Sequence, residues 1–240
     1  MAITGALLSL FVLGHMAGNL QVFLDPYYIN AYASHLQHLP YGLLWVIRAV
    51  LLGTVVIHIW VSVVLTIENM KARPEEYKYK STAAASYASR TMRISGVILF
   101  LFIVFHIAHF TTRQVPGQEF NTAIVDASGN THELDVPLVT PEGHVVKDKY
   151  GETKMVHNTH AMMVSGFSRW WVSAIYIVGM FLLTNHLRHG ISSMFQSLGL
   201  RNSGTLPFLK VVAWIYSVVV FLGFISVPIA VLAKVITIQG

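Results

Sequence analysis

Residues 43–70 read LLWVIRAVLLGTVVIHIWVSVVLTIENM, and this stretch decides the class of fold. A helix needs about 20 apolar residues to cross the hydrocarbon core of a bilayer, and the stretch is longer than that. Its two charged residues, Arg48 and Glu68, lie toward its ends, whereas His58 lies near its middle. The stretch therefore predicts a transmembrane helix that carries an imidazole inside the membrane.

Four other stretches have the same apolar character, so we predict five spans, at about residues 2–24, 43–70, 94–111, 167–195 and 206–236. The 240 residues are 54% apolar and only 11% charged, whereas soluble domains carry about 25% charged residues. The mean hydropathy is +0.58. We therefore predict an all-α membrane protein, with residues 1–240 forming a single domain whose five transmembrane helices make a bundle.

Basic residues in the connections predict the orientation of the bundle. They are Lys71, Arg73, Lys78, Lys80, Arg90 and Arg93 after the second span, and Arg188, Arg201 and Lys210 around the fourth connection. The positive-inside rule places both connections in the cytoplasm. The N-terminus is then cytoplasmic and residues 112–168 form a long external loop. The net charge of +5 lies mostly in these connections, so it indicates topology and not binding to nucleic acid.

The expected external loop, residues 112–168, contains seven acidic residues and several turn sequences. Residues 128–130 read Ser-Gly-Asn and residues 140–143 read Thr-Pro-Glu-Gly, and both combinations favour turns between short strands. We therefore expect a small β-hairpin in this loop.

Each of the first four spans carries a histidine in its interior: His15, His58, His106 and His186. At a rise of ~1.5 Å per residue, His15 and His106 lie roughly 20 and 18 Å from the inner ends of their spans. His58 and His186 lie roughly 22 and 24 Å from the outer ends of theirs. The histidines thus form two layers, on the order of 10 Å apart by the same rise. Two imidazoles at one depth on facing helices are what a six-coordinate haem needs, which predicts one haem for each pair.

Several alternatives remain open at these positions. A single histidine in a membrane span is about as often a hydrogen-bonding partner as a metal ligand. His109 and His189 lie three residues beyond two proposed ligands, on nearly the same helix faces, and are alternative ligands. Gly14 and Gly18 flank His15 at a spacing that suits either helix packing or room for a flat porphyrin. The chain has no cysteine, which excludes covalent c-type haem and iron–sulfur ligation by this chain.

Four short segments carry a resemblance to a known family. They are residues 11–20 (FVLGHMAGNL), 56–58 (VIH), 105–107 (FHI) and 185–190 (NHLRHG). The chain resembles the diheme cytochrome b membrane anchor of succinate:quinone oxidoreductases, which are succinate dehydrogenase and quinol:fumarate reductase (complex II). The likeness is to the single-polypeptide type with five helices, and it covers all five spans.

The resemblance implies two b-type haems, a proximal one on His58 and His186 and a distal one on His15 and His106. It implies two soluble partners, a flavoprotein subunit that carries FAD and an iron–sulfur subunit. Electrons would pass between the iron–sulfur subunit and a membrane quinone, generally menaquinone in diheme members. The anchor itself has no complete active site for succinate, and the implied location is a bacterial cytoplasmic membrane.

Quinone and propionate contacts are assigned to polar residues near the span ends. The family places a quinone site near the outer ends of the first two helices, where our candidates are Gln37 and His38, followed by His35 and Arg48. Candidate partners of the haem propionates are Arg90, Arg93, Arg188 and His189 on the inner side, and Arg113 and Arg169 on the outer side. The alternatives are a solvated loop for the first set and ordinary membrane anchors for the second.

Two other functions fit a bundle with buried histidines. One is the haem b subunit of a membrane hydrogenase or formate dehydrogenase. The other is a colourless transporter in which histidines relay protons. A cytochrome b of the bc type would carry two histidines more than ten residues apart within one span, and no predicted span has that spacing.

Overall fold

The computed structural model describes residues 1–72, 87–200 and 202–238, with the side chains of residues 87–91 left aside. Its helices are α1 (Ala2–Asn19), α2 (Pro26–Gln37), α3 (Leu43–Lys71), α4 (Tyr87–His106), α5 (Thr159–Ser168), α6 (Trp170–Ser197) and α7 (Leu206–Leu232). Its strands are β1 (Ile124–Val125), β2 (Thr131–His132), β3 (Asp135–Pro137) and β4 (Met155–His157). The bases Arg73, Lys78, Lys80 and Arg201, and the side chain of Arg90, lie outside the described residues.

Within the described residues, five helical segments are long and apolar enough to cross a membrane, which confirms the prediction of a helical membrane protein. They are Ala2–Phe23, Pro40–Lys71, Met92–Thr111, Trp170–Ser197 and Leu206–Leu232. Their outer faces are apolar as well: in α3 only Thr54 is buried, and Trp45 and Trp60 are 70% and 69% exposed. Such extended apolar surface suits lipid and not water.

Helix α6 lies at the centre of the bundle, against α7, α4 and α1, while α3 packs mainly on α1. Two glycines allow these close approaches. A Cβ atom on Gly179 of α6 would lie 2.6 Å from the ring of Phe102 on α4, and one on Gly223 of α7 would collide with Met16 of α1. The absence of side chains at these positions therefore brings α4 and α1 against the central pair.

Two helices are additions to the expected architecture. Helix α2 begins after Asp25, whose carboxylate accepts a hydrogen bond from the Tyr27 amide at 2.9 Å. Helix α5 begins after Asn158, which caps the Ala161 amide at 3.1 Å. Because Arg169 has an extended backbone, α6 begins at Trp170 and the fourth span does not extend back to residue 167. The helix of the fifth span, α7, ends at Leu232 and not at residue 236.

Residues 112–168, which we call the cap, form a small folded unit. Strand β1 pairs with β2 and β3 pairs with β4, both antiparallel. The whole of α5 from His160 to Phe167 is buried, and this helix packs against α2, α6 and α7. Gly129 and Gly143 adopt φ angles of 87° and 85° in the turns between the short strands. The cap therefore sits on one end of the bundle as packed structure with its own helix.

Candidate functional site

His58 of α3 and His186 of α6 face one another inside the bundle. Their ring centroids are 6.4 Å apart, with an angle of 57° between the ring planes. Two imidazoles that bind one metal ion through nitrogen, at about 2 Å each, have centroids roughly 6 Å apart. The spacing of this pair is compatible with one metal ion held between the rings, and it is also an ordinary distance between packed rings.

A hydroxyl group contacts one nitrogen of His58 and leaves the other without a partner in the described residues. Thr4 Oγ1 lies 2.9 Å from the Met1 carbonyl oxygen and 3.0 Å from His58 Nδ1. When the hydroxyl donates to Met1, the imidazole donates from Nδ1, and the lone pair of Nε2 is then available to a metal.

His186 repeats this arrangement with a different helix. Ser95 Oγ donates to the Met92 carbonyl at 3.0 Å and lies 3.5 Å from His186 Nδ1. A glycine follows each hydroxyl residue: a Cβ on Gly5 would lie 3.7 Å from Cε1 of His58, and one on Gly96 would lie 3.9 Å from Cε1 of His186. Each imidazole thus rests against a hydroxyl–glycine dipeptide, and both rings keep Nε2 free. Sequence reasoning missed these dipeptides, although Thr-Gly and Ser-Gly are visible at the same ends of two spans.

His15 of α1 and His106 of α4 form the second pair, with ring centroids 5.7 Å apart and ring planes at 80°. His106 Nδ1 lies 3.1 Å from the hydroxyl of Tyr176, which leaves Nε2 free. Nε2 of His15, however, lies 3.2 Å from the Asn19 amide nitrogen. The ring spacing of this pair fits a shared metal, but Asn19 must turn away before His15 can bind one through Nε2.

Two independent helices measure the distance between the layers. On α1, Thr4 contacts His58 and His15 contacts His106, and these positions, 11 residues apart, differ by about 16 Å along the axis. On α4, Ser95 contacts His186 and lies 11 residues from His106, which again corresponds to about 16 Å. The layers are therefore farther apart than the sequence estimate, because that estimate started from uncertain span ends.

The alternative ligands make other contacts. His109 is completely buried, and its Nδ1 lies 3.1 Å from the Tyr176 hydroxyl. Nε2 of His189 lies 3.1 Å from Ser193 Oγ. Of the two glycines beside His15, Gly18 accommodates the Tyr32 ring, whereas a Cβ on Gly14 would meet nothing within 4 Å. The two glycines therefore do not form a common helix-packing face.

The predicted propionate partners fall into an exposed and a half-buried set. Arg93 and Arg188 are exposed. Arg113 is half-buried, with Nη1 3.5 Å from His157 Nδ1. Burial lowers the pKa of the Arg113 guanidinium, as does Arg48 nearby, and the charge of Asp135 raises it. Nε of Arg113 and Nε of Arg169 are buried and have no hydrogen-bond partner within the described structure. A bound anion would accept a hydrogen bond from either of them.

The predicted quinone residues lie on the exposed surface of the structure. Gln37, His35, His38 and Arg48 are all exposed, at the end of α2 and the beginning of α3. His38 Nδ1 donates to the Ser34 carbonyl at 2.8 Å, and the Arg48 guanidinium lies 4.9 Å from the Trp45 ring centroid. A cleft of about 280 Å³ opens instead between α2 and the cap, where Asp25, Tyr27, Asn30 and His160 are among its lining residues.

Across residues 1–72, 87–200 and 202–238, no group of three or more His, Asp or Glu side chains could hold a metal ion. No family model matches the chain, and neither a curated protein nor a solved structure matches it.

Proposed function

We propose that this chain is the membrane anchor and electron-transfer subunit of a succinate dehydrogenase or fumarate reductase, with two b-type haems. One observation carries the proposal: four imidazoles from four different spans meet in two pairs, about 16 Å apart along the helix axes. The resemblance of residues 11–20 and 185–190 to the complex II family supports the same assignment.

The chain's own residues would have distinct roles. His58 and His186 would bind one iron through Nε2, while Thr4 and Ser95 accept their Nδ1 protons and hold the rings in place. His15 and His106 would bind the second iron. The bound haems supply one-electron transfer between the iron–sulfur subunit and the quinone. The apolar helices exclude water from both layers and keep the histidines neutral.

The proposed orientation puts the N-terminus in the cytoplasm of a bacterial cell, in the cytoplasmic membrane. Lys71, Arg93 and Arg188 lie at the same end of their helices as the His58–His186 layer, which supports a cytoplasmic position for that layer. The FAD-bearing flavoprotein and the iron–sulfur subunit would dock there. A quinone, most simply menaquinone, would bind near the His15–His106 layer, with Gln37, His35, His38 and Arg48 as the candidate contacts.

Haem content tests the proposal directly. The purified protein should show b-type bands in reduced-minus-oxidised spectra, and a pyridine haemochrome assay should count two haems. His58→Ala and His186→Ala should each remove one haem, and His15→Ala and His106→Ala should each remove the other. The exposed His144 of the cap provides a matched control, because His144→Ala should remove none.

The partners separate this function from its alternatives. Affinity purification from solubilised membranes should recover a flavoprotein and an iron–sulfur protein. A nickel–iron partner would instead indicate a hydrogenase subunit. A colourless protein would overturn the proposal and favour a transporter whose histidines relay protons.

A further inference from the structure

Tyr176 of α6 links two histidines of the cap-side half of the bundle. Its hydroxyl oxygen lies 3.1 Å from Nδ1 of His106 and 3.1 Å from Nδ1 of His109. A phenol carries one proton, so it can donate to only one of these nitrogens and can accept from the other. In that arrangement the two imidazoles differ in which nitrogen is protonated.

Ligation of iron by His106 would determine the direction of the hydrogen bonds that connect His106, Tyr176 and His109. If Nε2 of His106 binds the metal, its Nδ1 carries the proton and donates it to the Tyr176 oxygen. The phenol proton then goes to Nδ1 of His109, which leaves the proton of His109 on Nε2. The result is a directed sequence of donors from the ligand to His109.

At the His109 end of this series of hydrogen bonds, an amide oxygen without a partner lies nearby. Nε2 of His109 and Oε1 of Gln118 are both buried, and neither has a hydrogen-bond partner in the described part of the chain. Both side chains lie at Gly166: a Cβ there would be 3.2 Å from His109 Nε2, and Gln118 Nε2 donates to the Gly166 carbonyl at 3.3 Å. Two polar atoms without partners thus lie near the same backbone position, and the Gln118 amide oxygen is the candidate acceptor of a hydrogen bond from His109 Nε2 in this tautomer.

Local structure excludes water from these hydrogen bonds and positions His109 to take part in them. Residues Ile107–Thr111 form a π-helical turn at the end of α4, a feature frequently found at functional sites. The ring of Tyr176 packs against four aromatic rings: Phe102, Phe105, Phe110 and Phe167. The phenol is therefore shielded from water that would compete for its hydrogen bonds.

We propose that Tyr176 and His109 are positioning residues for the haem bound by His15 and His106. This inference rests on the proposed function. Donation from His106 Nδ1 to a phenol oxygen, which His109 polarises further, makes the imidazole a more basic ligand. A more basic ligand stabilises the ferric state and lowers the midpoint potential of that haem. The other layer has only the aliphatic hydroxyls of Thr4 and Ser95 at the corresponding positions.

Redox titration of the purified protein, followed by haem absorbance, tests this inference. Tyr176→Phe should raise the potential of one haem, so that its oxidised-to-reduced ratio falls about threefold at a fixed solution potential, or ~28 mV at 59 mV per tenfold change. The haem on His58 and His186 should keep its potential. Tyr216→Phe is the matched control, because the Tyr216 hydroxyl donates to the Ser9 carbonyl and has no hydrogen bond to a histidine in the described part of the structure.

Two variants of His109 give a second measurement that leaves the acceptor of His106 in place. His109→Leu removes the acceptor of the phenol proton and should shift the potential in the same direction by a smaller amount. His109→Asn keeps an oxygen near the position of Nδ1 and should restore it. If Tyr176→Phe loses the haem altogether, these two variants decide the question.

The possible failures are distinguishable. Unchanged potentials in Tyr176→Phe and His109→Leu, with both haems retained, would overturn the inference and leave the proposed function intact. Equal shifts in Tyr216→Phe would also overturn it, because the effect would then not depend on the histidine contact. A wild-type protein without haem would overturn the proposed function and this inference with it.

Discussion

Removal of the Ser95 hydroxyl is the sharpest test of how His186 is held. Ser95 Oγ lies 3.5 Å from Nδ1 of His186, in a buried position on α4, and it accepts from this nitrogen when His186 binds a metal through Nε2. Ser95→Ala keeps the helix and the backbone and deletes this one oxygen. The imidazole N–H then has no partner, and the ring is free to rotate away from the position in which Nε2 faces His58.

The structure sets the size of the expected effect. A buried donor left without a partner costs about 1–3 kcal/mol, and each 1.4 kcal/mol corresponds to about tenfold in affinity. Because the contact is long at 3.5 Å, the lower half of that range applies. We therefore expect haem to bind about tenfold more weakly at the His58–His186 layer, within the roughly 10–100-fold range of residues that support a metal ligand. Thr4→Val should weaken it at least as much, since that contact is 3.0 Å.

Transfer of haem to an excess of a soluble haem-binding protein measures the effect, with the release followed by absorbance. The phase that belongs to the His58–His186 layer is identified in His106→Ala, which retains only that haem. Ser217→Ala is the matched control: its hydroxyl is also buried and donates to a backbone carbonyl, that of Ala213, at 2.6 Å. It should leave both release phases unchanged.

Two outcomes would refute this reasoning. Release from Ser95→Ala within a factor of about two of the wild-type rate would show that the hydroxyl does not hold the ligand, since that change is worth about 0.4 kcal/mol. Faster release from the His15–His106 layer alone would show that the hydroxyl supports the wrong pair.

The other predictions concern packing and pH. Gly179→Ala should lower the unfolding temperature in detergent, because its Cβ would lie 2.6 Å from the Phe102 ring and overpacking costs about 1–3 kcal/mol. Gly14→Ala should raise the free energy of unfolding by about 0.5–1 kcal/mol, because its Cβ would meet nothing within 4 Å. Equal effects of the two variants would contradict the packing. Burial lowers the pKa of His157 and of His160 from 6.5, so the unfolded cap binds more protons and its stability falls as the pH drops below 6.5. Proteolysis of the cap should be faster at about pH 5 than at about pH 7.5. Replacement of both histidines by asparagine should reduce that difference. Equal rates of cleavage of the wild-type cap at the two pH values would contradict the prediction.

Much of the site was predictable because the helical rise measures distance along the membrane. His15, His58, His106 and His186 could be sorted by depth from their positions in the spans, and the structure brings together the rings that share a depth. Residues that contact these rings from other helices were not predictable in this way. Thr4, for example, reads as an ordinary polar residue near the beginning of a span.

The structure of the connections between the spans was much less predictable from the sequence. Helix α2 was not predicted, because its polar sequence lacks the long apolar run that marks a span. It depends on a cap at Asp25 and on contacts with α5. The sequence analysis places most of helix α5 in the external loop and only residues 167–168 in the fourth span. Only the extended backbone of Arg169 separates the two helices.

The amino-acid sequence alone determined that the chain has five apolar helices and how far along each one a histidine lies. Both follow from quantities that are local in the chain: the burial of apolar side chains in lipid and a fixed rise per residue. Tertiary structure decided which side chains meet across helices, because such contacts depend on how each helix is rotated about its axis. That rotation is set by close packing at residues such as Gly179 and Gly223, and it brings Tyr176 between two imidazoles and Ser95 beneath a third.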